Sequence, residues 1–210
     1  MTITHHLDDA TLMSFAAGSL PNTLAAVAAA HISMCVRCRS ELAVHERIGG
    51  ALVETIPGSE MRHRALELPE RNTVRAEPAR ASQVELPHPL AGIIGHGLDE
   101  VRWRWIGPGL WHRPLPIGGA GSLHLIKGAP SASVPEHDHG GSELTLVLRG
   151  ALIDATGRYG PGDIADIDEG IEHHAPVADQ QEGCICVIAN ENPTRFRGLL
   201  ARLMQPWHGM

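Results

Sequence analysis

His31-Ile32-Ser33-Met34-Cys35-Val36-Arg37-Cys38 places one histidine and two cysteines, all good ligands for a borderline or soft metal, within a few residues of one another. His5 and His6 lie upstream, and either can supply a fourth ligand. The segment from Thr23 to about Ser33 is alanine-rich and carries Leu24, Val27 and Ile32, which predicts a helix with His31 in its last turn. Cys35 then falls one turn after His31 on the same face. Cys38 opens a further helix running to about Ile56, with Val44, Ile48, Ala51, Leu52 and Ile56 along one face. Gly49-Gly50 inside that helix costs roughly 1 kcal/mol per glycine against alanine, and implies a kink or a close helix contact. Residues 8–17 form a first helix, capped by Asp8 or Asp9, with Leu12, Phe15 and Ala16 as its apolar stripe and Gly18 as its stop. A weaker helix is expected over 59–68. A helical unit this small has a small core, and a metal held by four Cys and His ligands can supply what burial does not.

The rest of the chain has a different texture. Pro69, Pro78, Pro87 and Pro89 punctuate a stretch with few large apolar residues, so 69–89 reads as a mobile linker. Beyond it, Val101–Ile106, Leu110–Ile117, Ser122–Lys127, Glu143–Leu148, Asp163–Ile167 and Cys184–Ala189 alternate between apolar and polar, with glycines and prolines between them. That spacing means an all-β sandwich or barrel. A short helix or strand is expected within 194–206. The expected organisation is therefore two-domain, α plus β: a helical metal-binding domain over 1–68, a linker over 69–89, and a β-domain over 90–210.

Composition narrows the function. The 210 residues carry a net charge of −7, spread unevenly: 8 basic and 10 acidic side chains in 1–85, 9 and 14 in 86–210. Neither half has the basic excess of a phosphate-reading surface, which excludes direct nucleic-acid binding. The N-terminus lacks the pattern of a signal peptide, and no apolar run approaches the ~20 residues needed to span a bilayer, so the chain is expected in the cytoplasm and off the membrane. In that compartment Cys35-x-x-Cys38 is a metal or redox pair rather than a structural disulfide. The βαβ context of a thioredoxin-like redox pair is absent.

His31-x-x-x-Cys35-x-x-Cys38 with an upstream histidine resembles the zinc-binding anti-sigma domain. The resemblance implies Zn2+ on His31, Cys35, Cys38 and either His5 or His6, with His6 favoured, and a helical unit that wraps an extracytoplasmic-function sigma factor. In the β-domain, His137-x-His139-x-x-x-Glu143 followed by Gly150, then Gly162 and Gly170-x-x-His173, resembles the two cupin motifs. This implies a jelly-roll barrel with Zn2+ or another divalent transition metal on His137, His139, Glu143 and His173. Asp168 and Val177 replace the usual proline and asparagine of the second motif, a departure in turn geometry.

Joined, the two halves resemble a ChrR-type anti-sigma factor, including Val101–Trp105 and Glu143–Leu148. The resemblance implies a regulator without enzymatic activity. It would hold a sigma factor as a 1:1 heterodimer and release it when the cupin responds to singlet oxygen or related oxidants. A free chain would self-associate through its exposed apolar face. Cys184-x-Cys186 places two thiols on one strand face, as core residues or as oxidant sensors. The competing readings are a metal-dependent cupin dioxygenase or hydrolase with a helical dimerisation unit, and a metal-storage or metal-sensing protein. His31-x-x-x-Cys35-x-x-Cys38 discriminates, because a metabolic cupin has no need of it.

Overall fold

Asp8 starts the first helix: its carboxylate accepts the Thr11 N–H at 2.6 Å, capping α1 (Asp9–Ala16). In the computed structural model, which describes residues 2–55, 86–95, 97–134, 137–138, 141–168, 176–192 and 195–196, two more helices follow. These are α2 (Asn22–Met34) and α3 (Val36–Glu54), separated by Cys35 alone. Cys35 is extended, at φ −96° and ψ 112°, and so ends α2 and caps α3 at once. Its sulfur takes the place of the usual capping oxygen, accepting the Cys38 N–H at 3.5 Å. Arg39 donates to the Ile32 and Ser33 carbonyls at 3.1 and 2.9 Å, satisfying the end of α2. The expected fourth helix over 59–68 lies outside the described residues, as does most of the 69–89 stretch.

His88–Ile94 forms a helix, α4, that the sequence reading did not assign. Pro87 caps it and Pro89 sits in its first turn, where a missing N–H costs nothing. Helix α4 packs against α2.

The β-half contains β1 (Arg104–Gly107), β2 (Leu110–Pro114), β3 (Ser122–Gly128), β4 (His137–Asp138), β5 (Glu143–Gly150), β6 (Leu152–Asp154), β7 (Gly157–Tyr159), β8 (Ile164–Ile167), β9 (Val177–Ala178), β10 (Cys184–Asn190) and β11 (Arg195–Phe196). The main sheet runs β1-β2-β3-β10-β5-β8, with β7-β6-β9 and β11-β4 as smaller sheets. Each adjacent pair is antiparallel. All six strand segments read from the sequence are present. Gly150 has φ +70°, and a Cβ there would collide with the Gly183 carbonyl oxygen, so the first-motif glycine is sterically required.

Alternation on the main sheet separates two cores. Leu123, Leu125, Leu144, Leu146, Ile164, Ile185, Val187 and Ala189 face outward and share one buried cluster with Leu12, Leu24, Val27, Leu90 and Ile94 of the helices. Ile126, Val147, Ala165, Ile167, Cys184 and Cys186 face inward and pack with Leu152, Tyr159 and Ala178 of the small sheet. The helices therefore cover the outside of a jelly roll, and the two halves share a core. Full burial of a leucine is worth about 1.5–3 kcal/mol, so this contact is a substantial part of the stability of both halves.

Helix α3 breaks the pattern. Only Cys38 and Leu42 of it are buried, and residues 46–55 are exposed on every side. Among the described residues, nothing lies within 4 Å of a Cβ built on Gly49 or Gly50, so no described helix makes the expected close contact there.

Candidate metal centre

Four side chains converge where α2 meets α3. His31 Nε2 lies 3.2 Å from Cys38 Sγ. His6 Nδ1 lies 3.2 Å from Cys35 Sγ and 3.8 Å from Cys38 Sγ. All four ligand atoms fall within 4.8 Å of one another. A tetrahedral zinc with bonds of about 2.0–2.3 Å holds its ligand atoms roughly 3.4–3.8 Å apart, so small side-chain movements close the site. His31, Cys35 and Cys38 are buried and His6 is half-buried.

The protonation states suit a cation. Burial lowers His31 to about 4, against the opposing hydrogen bond to Gly162, so the ring is neutral at pH 7. Its Nδ1–H donates to the Gly162 carbonyl at 2.9 Å, which leaves the Nε2 lone pair facing the sulfurs. Burial also lowers His6, and the Arg37 charge adds to that effect. The Cys38 thiol is pushed up to about 12, chiefly by burial. The protein surroundings thus leave this thiol protonated, and a bound metal must displace its proton.

The two upstream histidines point to different places. His6 enters the cluster. His5 turns to the β-half, stacking on Tyr159 at a ring separation of 4.0 Å and approaching Asp163 at 3.6 Å.

Of the second expected ligand set, Glu143 is described with its side chain. It opens β5, is buried, and accepts the Thr145 hydroxyl at 3.1 Å. His137 lies in β4, paired with Phe196, and its side chain is not described. His139 and His173 lie outside the described residues. Two buried histidines that sequence reasoning missed, His112 and His124, stack with ring centroids 5.9 Å apart on the inward face of β2 and β3. Strand alternation from Ile126 was the signal that could have placed them there. Cys184 and Cys186 are free thiols buried in the inner core. The contact with Cys184, together with burial, pushes the Cys186 thiol up, which disfavours the reactive thiolate.

The site thus belongs to a two-part protein, a helical unit with a His2Cys2 cluster laid on the outer face of a cupin-like jelly roll. Residues 94–193 match the family described as ChrR Cupin-like domain. The chain is 39% identical over 211 residues to anti-sigma-E factor ChrR of Cereibacter sphaeroides, covering 99% of each chain. Among solved structures, the fold is similar to that in the crystal structure of Rhodobacter sphaeroides SigE in complex with the anti-sigma ChrR, at 38% identity and a TM-score of 0.72, covering 90% of this chain and 100% of that one. This chain belongs to the ChrR family of anti-sigma factors, which are regulators and not enzymes. Among the described residues, no helix is long and apolar enough to cross a membrane.

Proposed function

We propose that this chain sequesters an extracytoplasmic-function sigma factor in a 1:1 complex, through the helical half, in the cytoplasm. The observation that carries this reading is the free half of α3. Val44, Ile48, Leu52 and Val53 are 44, 54, 62 and 53% exposed. A helix segment with no packing of its own is marginal in water, and an apolar stripe left on it is the surface a partner covers. Val44, Ile48 and Leu52 recur at four-residue spacing and share one side of the helix. The relative of known structure is seen in complex with SigE.

The His6, His31, Cys35 and Cys38 set holds Zn2+ in this reading. The ion fixes the angle between α2 and α3 and thereby the direction in which the stripe projects. A second divalent metal, zinc or another transition ion, sits on His137, His139, Glu143 and His173. The proposed division is a helical domain over 1–68, a linker over 69–89 and a cupin over 90–210. Release follows a change in the cupin caused by an oxidant such as singlet oxygen, which favours a state with lower sigma affinity. The test is co-expression with the host's extracytoplasmic-function sigma factors. One of them co-purifies with the wild-type chain and is lost from a Cys35→Ser/Cys38→Ser variant, and oxidant exposure frees it. A folded, zinc-loaded chain that retains no sigma factor overturns the reading.

A further inference from the structure

The N-terminal segment that delivers His6 is held by the cupin half. One oxygen of Asp163 accepts the N–H groups of Thr4 at 2.6 Å and His5 at 2.9 Å. The other oxygen accepts the Gly160 N–H at 2.8 Å, which shapes the turn entering β8. The Thr4 hydroxyl lies 3.4 Å from both oxygens. Two residues after His6, the Asp8 N–H donates to Asp166 at 3.0 Å, and the Thr11 hydroxyl reaches the other oxygen of Asp166 at 3.2 Å. His6 is thus suspended between two carboxylates, one at the start of β8 and one within it. Strand β8 is an edge of the main sheet. Gly162, the residue just before Asp163, supplies the carbonyl that takes His31 Nδ1–H at 2.9 Å.

We propose that Asp163 and Gly162, in the cupin half, are positioning groups of the metal centre in the helical half. Asp163 seats the strand that presents His6, and the Gly162 carbonyl fixes His31 in the tautomer whose Nε2 faces the metal. The first residues of a chain are poorly ordered unless tied down, and an untied His6 must be ordered each time the metal binds. Outer hydrogen bonds to a ligating histidine set its orientation and basicity, and their loss typically weakens metal binding by about 10–100-fold. Burial opposes ionisation of Asp163, but N–H donation from His5, Thr4 and Gly160 outweighs it and holds the carboxyl below its usual range, so the clamp is charged at neutral pH.

The proposal rests on the metal-binding reading of His6, His31, Cys35 and Cys38. The test uses the full chain and Co2+, whose sulfur-to-cobalt absorption reports only a site with thiolate ligands. The cupin set of His137, His139, Glu143 and His173 contains no sulfur and is silent in that band. Affinity is measured by competition with a chelator for wild type, Asp163→Ala, Asp163→Asn and Thr4→Pro. Asp163→Ala should bind about 10–100-fold more weakly. Asp163→Asn keeps one oxygen for the Thr4 and His5 N–H groups and should recover most of the loss. Thr4→Pro removes one donor without touching the cupin, and should weaken binding even if Asp163→Ala fails to fold. Equal affinity in Thr4→Pro and in a folded Asp163→Ala overturns the positioning role while leaving the metal centre intact. A wild-type chain with no sulfur-to-cobalt band overturns the metal centre and the proposal with it.

Discussion

Replacing Ile48 and Leu52 together by alanine should break sigma-factor binding without disturbing the fold. Burying a whole isoleucine or leucine side chain contributes about 1.5–3 kcal/mol. Ile48 is 54% and Leu52 62% exposed, so roughly half of that remains to be gained against a partner. Alanine retains a little of it, which leaves a loss of about 0.5–1.5 kcal/mol per residue and about 1–3 kcal/mol for the pair. At 1.4 kcal/mol per factor of ten, the dissociation constant should rise about 5–150-fold. The assay is fluorescence anisotropy of a labelled sigma factor titrated with wild-type and variant chains. Thermal melting is the control, and it should change little because both side chains are largely exposed in the chain alone. Affinity within about threefold of wild type, short of the expected loss, would refute the assignment of this helix face as the docking surface.

Leu24→Ala should cost about 2–5 kcal/mol, because Leu24 is fully buried in the core shared by helices and sheet. The helical and β signals should shift together in one melting transition, and two separate transitions would show independent halves. Cys38→Ser should weaken the sulfur-to-cobalt band of the helical site, leaving the Cys35 sulfur alone, and in the wild type metal affinity should rise about tenfold per pH unit for the proton displaced from Cys38. A pH-independent affinity between 6 and 8, a range far below the Cys38 value, would contradict the buried, protonated thiol. Asp166 titrates near 6 in the folded chain, raised from 3.8 chiefly by burial. The folded state therefore binds this proton more tightly than the unfolded one, and the contribution is lost as pH rises from about 4 to about 6. Wild type should lose melting temperature relative to Asp166→Asn across that window, and parallel profiles would count against the shift.

The metal cluster was legible because its spacing is local. His31, Cys35 and Cys38 lie within a single helix–helix junction, and helix periodicity alone places them together. The choice of His6 over His5 was not legible, because Asp163 and Tyr159 make it from the far end of the chain. The stripe of Val44, Ile48 and Leu52 was visible in the sequence, but a periodic pattern does not say whether its face meets the same chain or another one. Strands β6 and β7 were missed because each spans only three residues, too short for alternation to register. Helix α4 was hidden by Pro87 and Pro89, which read as linker punctuation yet also suit a helix start. The shared core between helices and sheet rests on Leu24, Val27 and Leu90 meeting Leu123, Leu144 and Val187. No local pattern distinguishes that contact from two separate cores.

The most direct measurement is sigma-dependent transcription in a purified system. The host's extracytoplasmic-function sigma factor, core RNA polymerase and a cognate promoter are titrated with the zinc-loaded chain. Transcription should fall to background at one chain per sigma factor, and an oxidant that acts on the cupin should restore it. Transcription that persists at a large excess of folded, zinc-loaded chain would contradict sequestration.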